Sequence, residues 1–186
     1  MLLNGVRHSG HATAADGPDR DGGRGMALSL RSSVDQIADP ASLDEAVHEV
    51  VRLVLGAECT ADTSPSGRTG ESVTAVVGFG GILSGACVLK CSARDAMGIA
   101  AQMTGSVMNA IDDTVQDAIG EVCNILAGAW KGKVPELAAH CGLSVPAVIS
   151  GRDYNLHVQA PEFLVRHNYV FADVHFEVTI VCDGLK

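Results

Sequence analysis

The chain has 186 residues, 47% hydrophobic and 19% charged, with 13 Lys and Arg against 22 Asp and Glu for a formal net charge of -9. That length accommodates one domain with a single core, and the balance is globular rather than the low-apolar composition of a disordered chain. The acidic surplus repels nucleic-acid phosphates and anionic lipid, both of which are held through clustered positive charge, so neither is an expected partner.

Residues 1–25 are rich in Gly, Asp, Arg, His and Ser and show almost no apolar periodicity. Such a segment cannot bury enough surface to offset the entropy of ordering, and a disordered tail is expected. Met26 follows directly and offers an alternative start, with residues 26–186 as one domain. No apolar run follows a basic N-terminal stretch, so no secretory signal is expected and the reading is cytoplasmic. The six cysteines are scattered without a C-x-x-C pair, which reads as reduced core thiols.

Leu43, Val47, Val50, Val51 and Val54 have helical spacing, with Ser42 as N-cap and Glu45 completing a capping box. After a Pro/Gly/Ser loop, residues 72–79 and 82–90 read as two antiparallel strands around Gly80-Gly81, a dipeptide suited to a tight hairpin turn. Their glycines Gly78, Gly80, Gly81 and Gly85 also argue against a membrane span.

Ser92 caps a short helix through Met103 that Gly105 stops, and Asp112 or Asp113 opens the longest helix, expected to end near Cys141-Gly142. Pro135 is expected to kink that helix or start a new segment. Beyond Gly151 the period changes: residues 154–159 and 174–182 alternate, with room for another strand between them. The pattern predicts an α+β domain, helices packed on one face of a largely antiparallel sheet.

Asp117, Glu121 and Asn124 are spaced four and three residues apart on the long helix, so they share a sector of about 60°. Val115, Ile119, Val122, Leu126, Ala129 and Trp130 form the opposite, core-facing stripe. Gly120 and Gly128 lie on or beside the polar face, where each costs about 1 kcal/mol relative to Ala in a helix interior. Two readings stay open for them: close approach of a partner, or packing under a neighbouring loop. Asp117 either orients or contacts a partner or simply complements the helix dipole. His8 and His11 lie in the tail, and His48, His140, His157, His167 and His175 lack metal-ligand spacing, so no metal site is expected. Neither Ser66-Gly67 nor Gly78-Phe79-Gly80-Gly81 has the lysine of a phosphate-cradling loop.

Asp117-x3-Glu121-x2-Asn124, followed after 21 residues by Pro146, resembles the Asp/Ser-x3-Glu-x2-Asn-x21-Pro signature of the CheC/CheX/FliY phosphatases. Ala118-Ile119-Gly120-Glu121, Val145-Pro146-Ala147-Val148-Ile149-Ser150-Gly151-Arg152-Asp153 and the Gly-rich Val77-Gly78-Phe79-Gly80-Gly81-Ile82 are similar to CheX text as well. The resemblance spans residues 42–182. It implies a CheC/CheX-like fold and hydrolysis of the phospho-aspartate on a CheY-type response-regulator receiver, a signal-terminating step in chemotaxis.

On that resemblance Glu121 pairs with the receiver's lysine and Asn124 positions the attacking water. Pro146 fixes the turn after the helix, and Mg2+ comes with the receiver rather than as a cofactor of this chain. The CheC branch repeats the Glu/Asn motif on its first helix; here that helix has Glu45-x-x-His48 and Glu49-x-x-Arg52, so one site per chain is expected, as in CheX. A homodimer paired through its sheets is implied too. Two alternatives stand beside this reading: a non-catalytic adaptor of the same fold binding a receiver or flagellar-switch protein, and a phosphatase acting on a receiver outside chemotaxis.

Overall fold

The helix over residues 40–55 begins at an Asp-Pro step. Asp39 accepts a hydrogen bond from the Ala41 N–H at 3.0 Å, and Pro40 takes the first helical position, where a missing N–H breaks no bond. In the computed structural model, which describes residues 37–63, 70–152, 154, 156–157 and 161–185, helix α1 therefore spans Pro40–Leu55. The N-cap is Asp39 and not Ser42, which lies inside the first turn. The predicted tail over residues 1–25, the alternative start at Met26, Ser66-Gly67 and Asp153 lie outside the described residues.

The remaining elements are β1 (Thr60–Ala61), β2 (Glu71–Gly81), β3 (Leu83–Ser92), α2 (Ala93–Thr104), α3 (Asp113–Gly132), α4 (Pro135–His140), β4 (Cys141–Leu143), β5 (Ala147–Arg152), β6 (Phe163–Phe171) and β7 (Val174–Leu185). Seven strands form one sheet in the order β1-β6-β7-β3-β2-β4, with β5 also paired to β2, and every pairing is antiparallel. The long β2 thus carries two short partners end to end: β5 along Glu71–Val76 and β4 along Phe79–Gly81.

Gly80-Gly81 lies, as expected, in the connection between β2 and β3, beyond the last β2–β3 pair of Phe79 with Gly85, and the same two glycines also face Gly142 and Cys141 of β4. Gly81 has φ 113, and a Cβ there would sit 2.3 Å from the His140 carbonyl oxygen, so only glycine lets β4 this close.

The helix predicted to run to Cys141 stops at Gly132, and Pro135 opens the separate α4. The strand expected at 154–159 is absent at the described positions there. Tyr154 lies outside any strand, its hydroxyl sharing a 2.7 Å hydrogen bond with Thr74. The strand falls just before it, as β5.

Ser92, Asp112 and Gly105 act as expected: Ser92 accepts from Asp95 N–H, Asp112 from Val115 N–H, and Gly105 adopts φ 69 beyond α2. One face of the sheet buries Val73, Ala75, Val77 and Phe79 of β2, Cys87 and Leu89 of β3, and Phe176, Val178 and Ile180 of β7. On this face lie Val47 and Val50 from α1, Ile99 from α2, and Ile119, Leu126 and Trp130 from α3, with Trp130 5.2 Å from Phe79 between ring centroids. All six cysteines are buried free thiols; desolvation pushes Cys59 and Cys182 up to about 11 and raises Cys91 and Cys141 as well. Among the described residues, no helix is long and apolar enough to cross a membrane.

Candidate functional site

Helix α3 is fixed along its length by its cap and its buried face. Asp112 accepts from Val115 N–H at 3.1 Å at the start, and Val115, Ile119, Val122, Leu126 and Trp130 are buried beneath. At mid-helix the Cys123 thiol donates toward the carbonyls of Ala75 and Cys87, 3.6 Å each, tying α3 to the adjacent strands β2 and β3. The next residue, Asn124, is half-buried, while Asp117 and Glu121 are exposed. Among the described residues, none of these three side chains has a hydrogen bond or ion pair. The polar sector predicted from spacing is therefore real and unsatisfied from within.

Gly120, Asn124 and Gly128 share one i±4 row of the helix, and the structure separates the two glycines. A Cβ on Gly120 would lie 3.3 Å from Val148 Cγ2 and 3.4 Å from Pro146 Cβ, so this glycine admits the chain's own residues and packing explains it. A Cβ on Gly128 would meet only Leu143 Cδ1, at 4.0 Å. Gly128→Ala is accordingly expected to gain about 1 kcal/mol from helix propensity. At about 2–4 °C per kcal/mol for a chain of this size, calorimetry should show a melting temperature a few degrees higher. Gly120→Ala should show no such rise, because its methyl presses on Val148 and Pro146.

Pro146 is not in a turn directly after α3. It lies between β4 and β5 and rests against Gly120. Its segment is held to the sheet: Ser144 N–H donates to Gly78 O at 2.9 Å, and Ser144 Oγ accepts from Gly78 N–H at 2.8 Å and donates to Val145 O at 3.0 Å. On the other flank of α3, a cleft of about 360 Å³ is lined by Met103 and Thr104 of α2 together with Thr114, Asp117, Ala118 and Glu121. Sequence spacing gave no sign of Met103 and Thr104 at the site, since packing of α2 on α3 brings them there.

Helix α1 provides a contrast. Its Glu45 and Glu49 face Lys133, at 3.9 and 2.8 Å, and the lysine's hydrogen bond and charge hold the Glu49 carboxyl below its usual range. The α1 carboxylates have an internal cation, whereas Glu121 on α3 has none among the described residues. His167 pairs with Asp44 and His175 with Asp62, at 2.8 and 2.6 Å, tying α1 to β6 and the segment after β1 to β7. Among the described residues, no three His, Cys, Asp or Glu side chains are grouped to hold a metal. The α3 face thus offers a carboxylate and an amide, rigidly mounted and outward. Such a face can bind a cation and hold a water for chemistry on an incoming surface.

Residues 73–167 match the model of the chemotaxis phosphatase CheX family. The chain is 31% identical over 114 residues to the CheY-P phosphatase CheX of Thermotoga maritima, covering 59% of this chain and 74% of that protein. In fold it is similar to the chemotaxis protein CheX of Desulfovibrio desulfuricans, with TM-score 0.64 and 22% identity over 79% of this chain and 99% of the other. It is also similar to a chain of the CheX-CheY-BeF3-Mg2+ complex from Borrelia burgdorferi, with TM-score 0.63 and 21% identity over 77% and 97%. The match extends through α3 and the segment bearing Pro146 to β6, and on these grounds the chain belongs to the CheX family.

Proposed function

We propose that this protein removes the phosphoryl group from the phospho-aspartate of a CheY-type receiver domain, using Glu121 and Asn124 of α3. The observation that carries this reading is the state of those side chains: outward on a rigid helix and without partners among the described residues. The naming of the Thermotoga maritima relative as a CheY-P phosphatase supports it.

An acyl phosphate hydrolyses by in-line attack of water, so the helper need only place that water and tolerate the charge that develops. Asn124 holds the water through its carbonyl and NH2 without adding a charge that repels phosphoryl oxygens. Glu121 receives the receiver's lysine and anchors the docked helix. The divalent cation that neutralises the phosphoryl group belongs to the receiver. Asp117 lines the same cleft as Glu121 and extends the acidic surface offered to the partner. The test is phosphate release from phosphorylated receivers of the source organism, with each receiver's own decay subtracted.

Glu121→Ala is expected to weaken docking at least about tenfold, because a desolvated lysine on the partner loses its counter-charge. The loss should appear in both the affinity for the receiver, measured by titration calorimetry, and the rate. A full-strength interaction with Glu121→Ala would remove the anchoring role. A non-catalytic adaptor of this fold would bind a receiver without hydrolysing it, and the Glu121/Asn124 pair favours the enzyme. The proposal includes a homodimer paired through its sheets. β5, an edge strand partnered only by β2 among the described residues, offers one surface for it. Light scattering at high concentration should give twice the chain mass, and a monomer would remove the dimer.

A further inference from the structure

Six large hydrophobic side chains are exposed among the described residues, and the two most exposed are Val145, at 86%, and Val107, at 83%. Scattered apolar side chains on a surface are ordinary, so exposure alone assigns nothing. Their placement is what distinguishes them. Val145 directly precedes Pro146, which rests on Gly120 of α3 one turn before Asn124. Val107 is in the loop that joins α2 to α3, three residues beyond Thr104, which lines the cleft with Asp117 and Glu121.

Neither valine is on a loose strand of chain. The Val145 carbonyl accepts from Ser144 Oγ, Ser144 is hydrogen-bonded to Gly78 on both sides of its backbone and side chain, and the proline that follows restricts Val145 to extended backbone. In the Val107 loop, Ser106 N–H donates to Thr104 Oγ1, and Met108 and Ile111 turn inward against the core while Val107 points out. A β-branched side chain on a held loop loses little freedom when covered, which suits it to a contact that desolvates on docking.

We infer that Val145 and Val107 are apolar docking contacts for the receiver, one on each side of the polar face of α3, and that they set affinity and partner choice while Glu121 and Asn124 act between them. This inference rests on the phosphatase reading. Covering the two valines would bury their apolar surface against the receiver and exclude water from the polar groups between them.

The experiment uses the full chain and CheY-type receivers of the source organism phosphorylated with acetyl phosphate, with initial rates taken across receiver concentration. Val145→Asp is expected to raise KM about tenfold and the Val107→Asp/Val145→Asp pair about a hundredfold, since effects at separated sites add. In both, kcat at saturation should stay within about twofold and the melting temperature should hold, because exposed substitutions away from structural features scarcely alter stability. Val145→Leu, which keeps an apolar contact, should retain most of the affinity. Unchanged KM in the Asp variants, or a fall in kcat at constant KM, would overturn the docking role and leave the phosphatase reading intact. If the wild-type protein accelerates decay of none of the receivers, the phosphatase reading falls and this inference falls with it.

Discussion

Asn124→Ala is expected to yield a folded protein that binds its phosphorylated receiver and does not speed the receiver's decay, a loss on the order of a hundredfold or more in the accelerated rate. Asn124 acts only if its amide holds water in line with the phosphorus, so its removal takes away positioning and leaves Glu121, Asp117 and the flanks of α3 in place for docking. Fold stability should change by less than about 0.5 kcal/mol, because the amide makes no hydrogen bond among the described residues that the methyl group would forfeit. Two measurements on one preparation check this: titration of the receiver in its beryllofluoride-activated form, and phosphate release over time. Wild-type turnover by Asn124→Ala would end the catalytic assignment and favour the adaptor reading. Loss of binding as well as turnover would make Asn124 a docking residue.

Gly85→Ala is expected to have the largest effect on stability. Gly85 lies where the β3–β7 register shifts, and a Cβ there would come within 2.0 Å of the Val181 carbonyl oxygen and 3.0 Å of Cys182 Cα. Both obstacles are backbone of the neighbouring strand, so no rotamer change relieves the overlap and the central pair of strands must separate locally. A loss of about 3 kcal/mol follows, roughly 6–12 °C in melting temperature for a chain of this size. Gly80→Ala provides the control, since a Cβ there meets nothing within 4 Å. Equal melting temperatures for the two variants would mean that β3 and β7 do not pair in this register.

The long helix and its polar sector were legible in the sequence because both depend on local spacing. Asp117, Glu121 and Asn124 fall together on any helix, and Ser92, Gly105 and Asp112 mark ends through hydrogen bonds to residues close in sequence. Most misread features depend on partners remote in sequence, and the start of α1, set by neighbouring residues, is the exception. Ser42 and Glu45 form a formally good capping box, yet Asp39-Pro40 sets the helix start, and the pairing of a cap acceptor with proline at the first position is a signal the sequence does contain.

Strand β5 was missed because as an edge strand it buries none of its residues fully and shows no apolar alternation. Gly80-Gly81 was legible as the connection of β2 to β3, but its second requirement, the approach of His140 and Cys141, comes from a segment some sixty residues later. For the same reason the sequence left Gly120 and Gly128 equivalent, although only Gly120 lies beneath Val148 and Pro146.

The thiol of Cys123, directed at the carbonyls of β2 and β3 beside the outward amide of Asn124, has an evolutionary consequence. In many enzymes the reactive groups sit on loops that drift while the scaffold is conserved. On the proposed function the residues that act on the receiver share a helix whose reverse side is the core, so a mutation that reaims Asn124 would also disturb the packing beneath it and be purged as a folding defect. Divergence among descendants of this chain would be channelled into the two short segments beside the helix, residues 105–112 and 144–146. On the same proposal, new receivers could be acquired there without altering how Asn124 would hold the water.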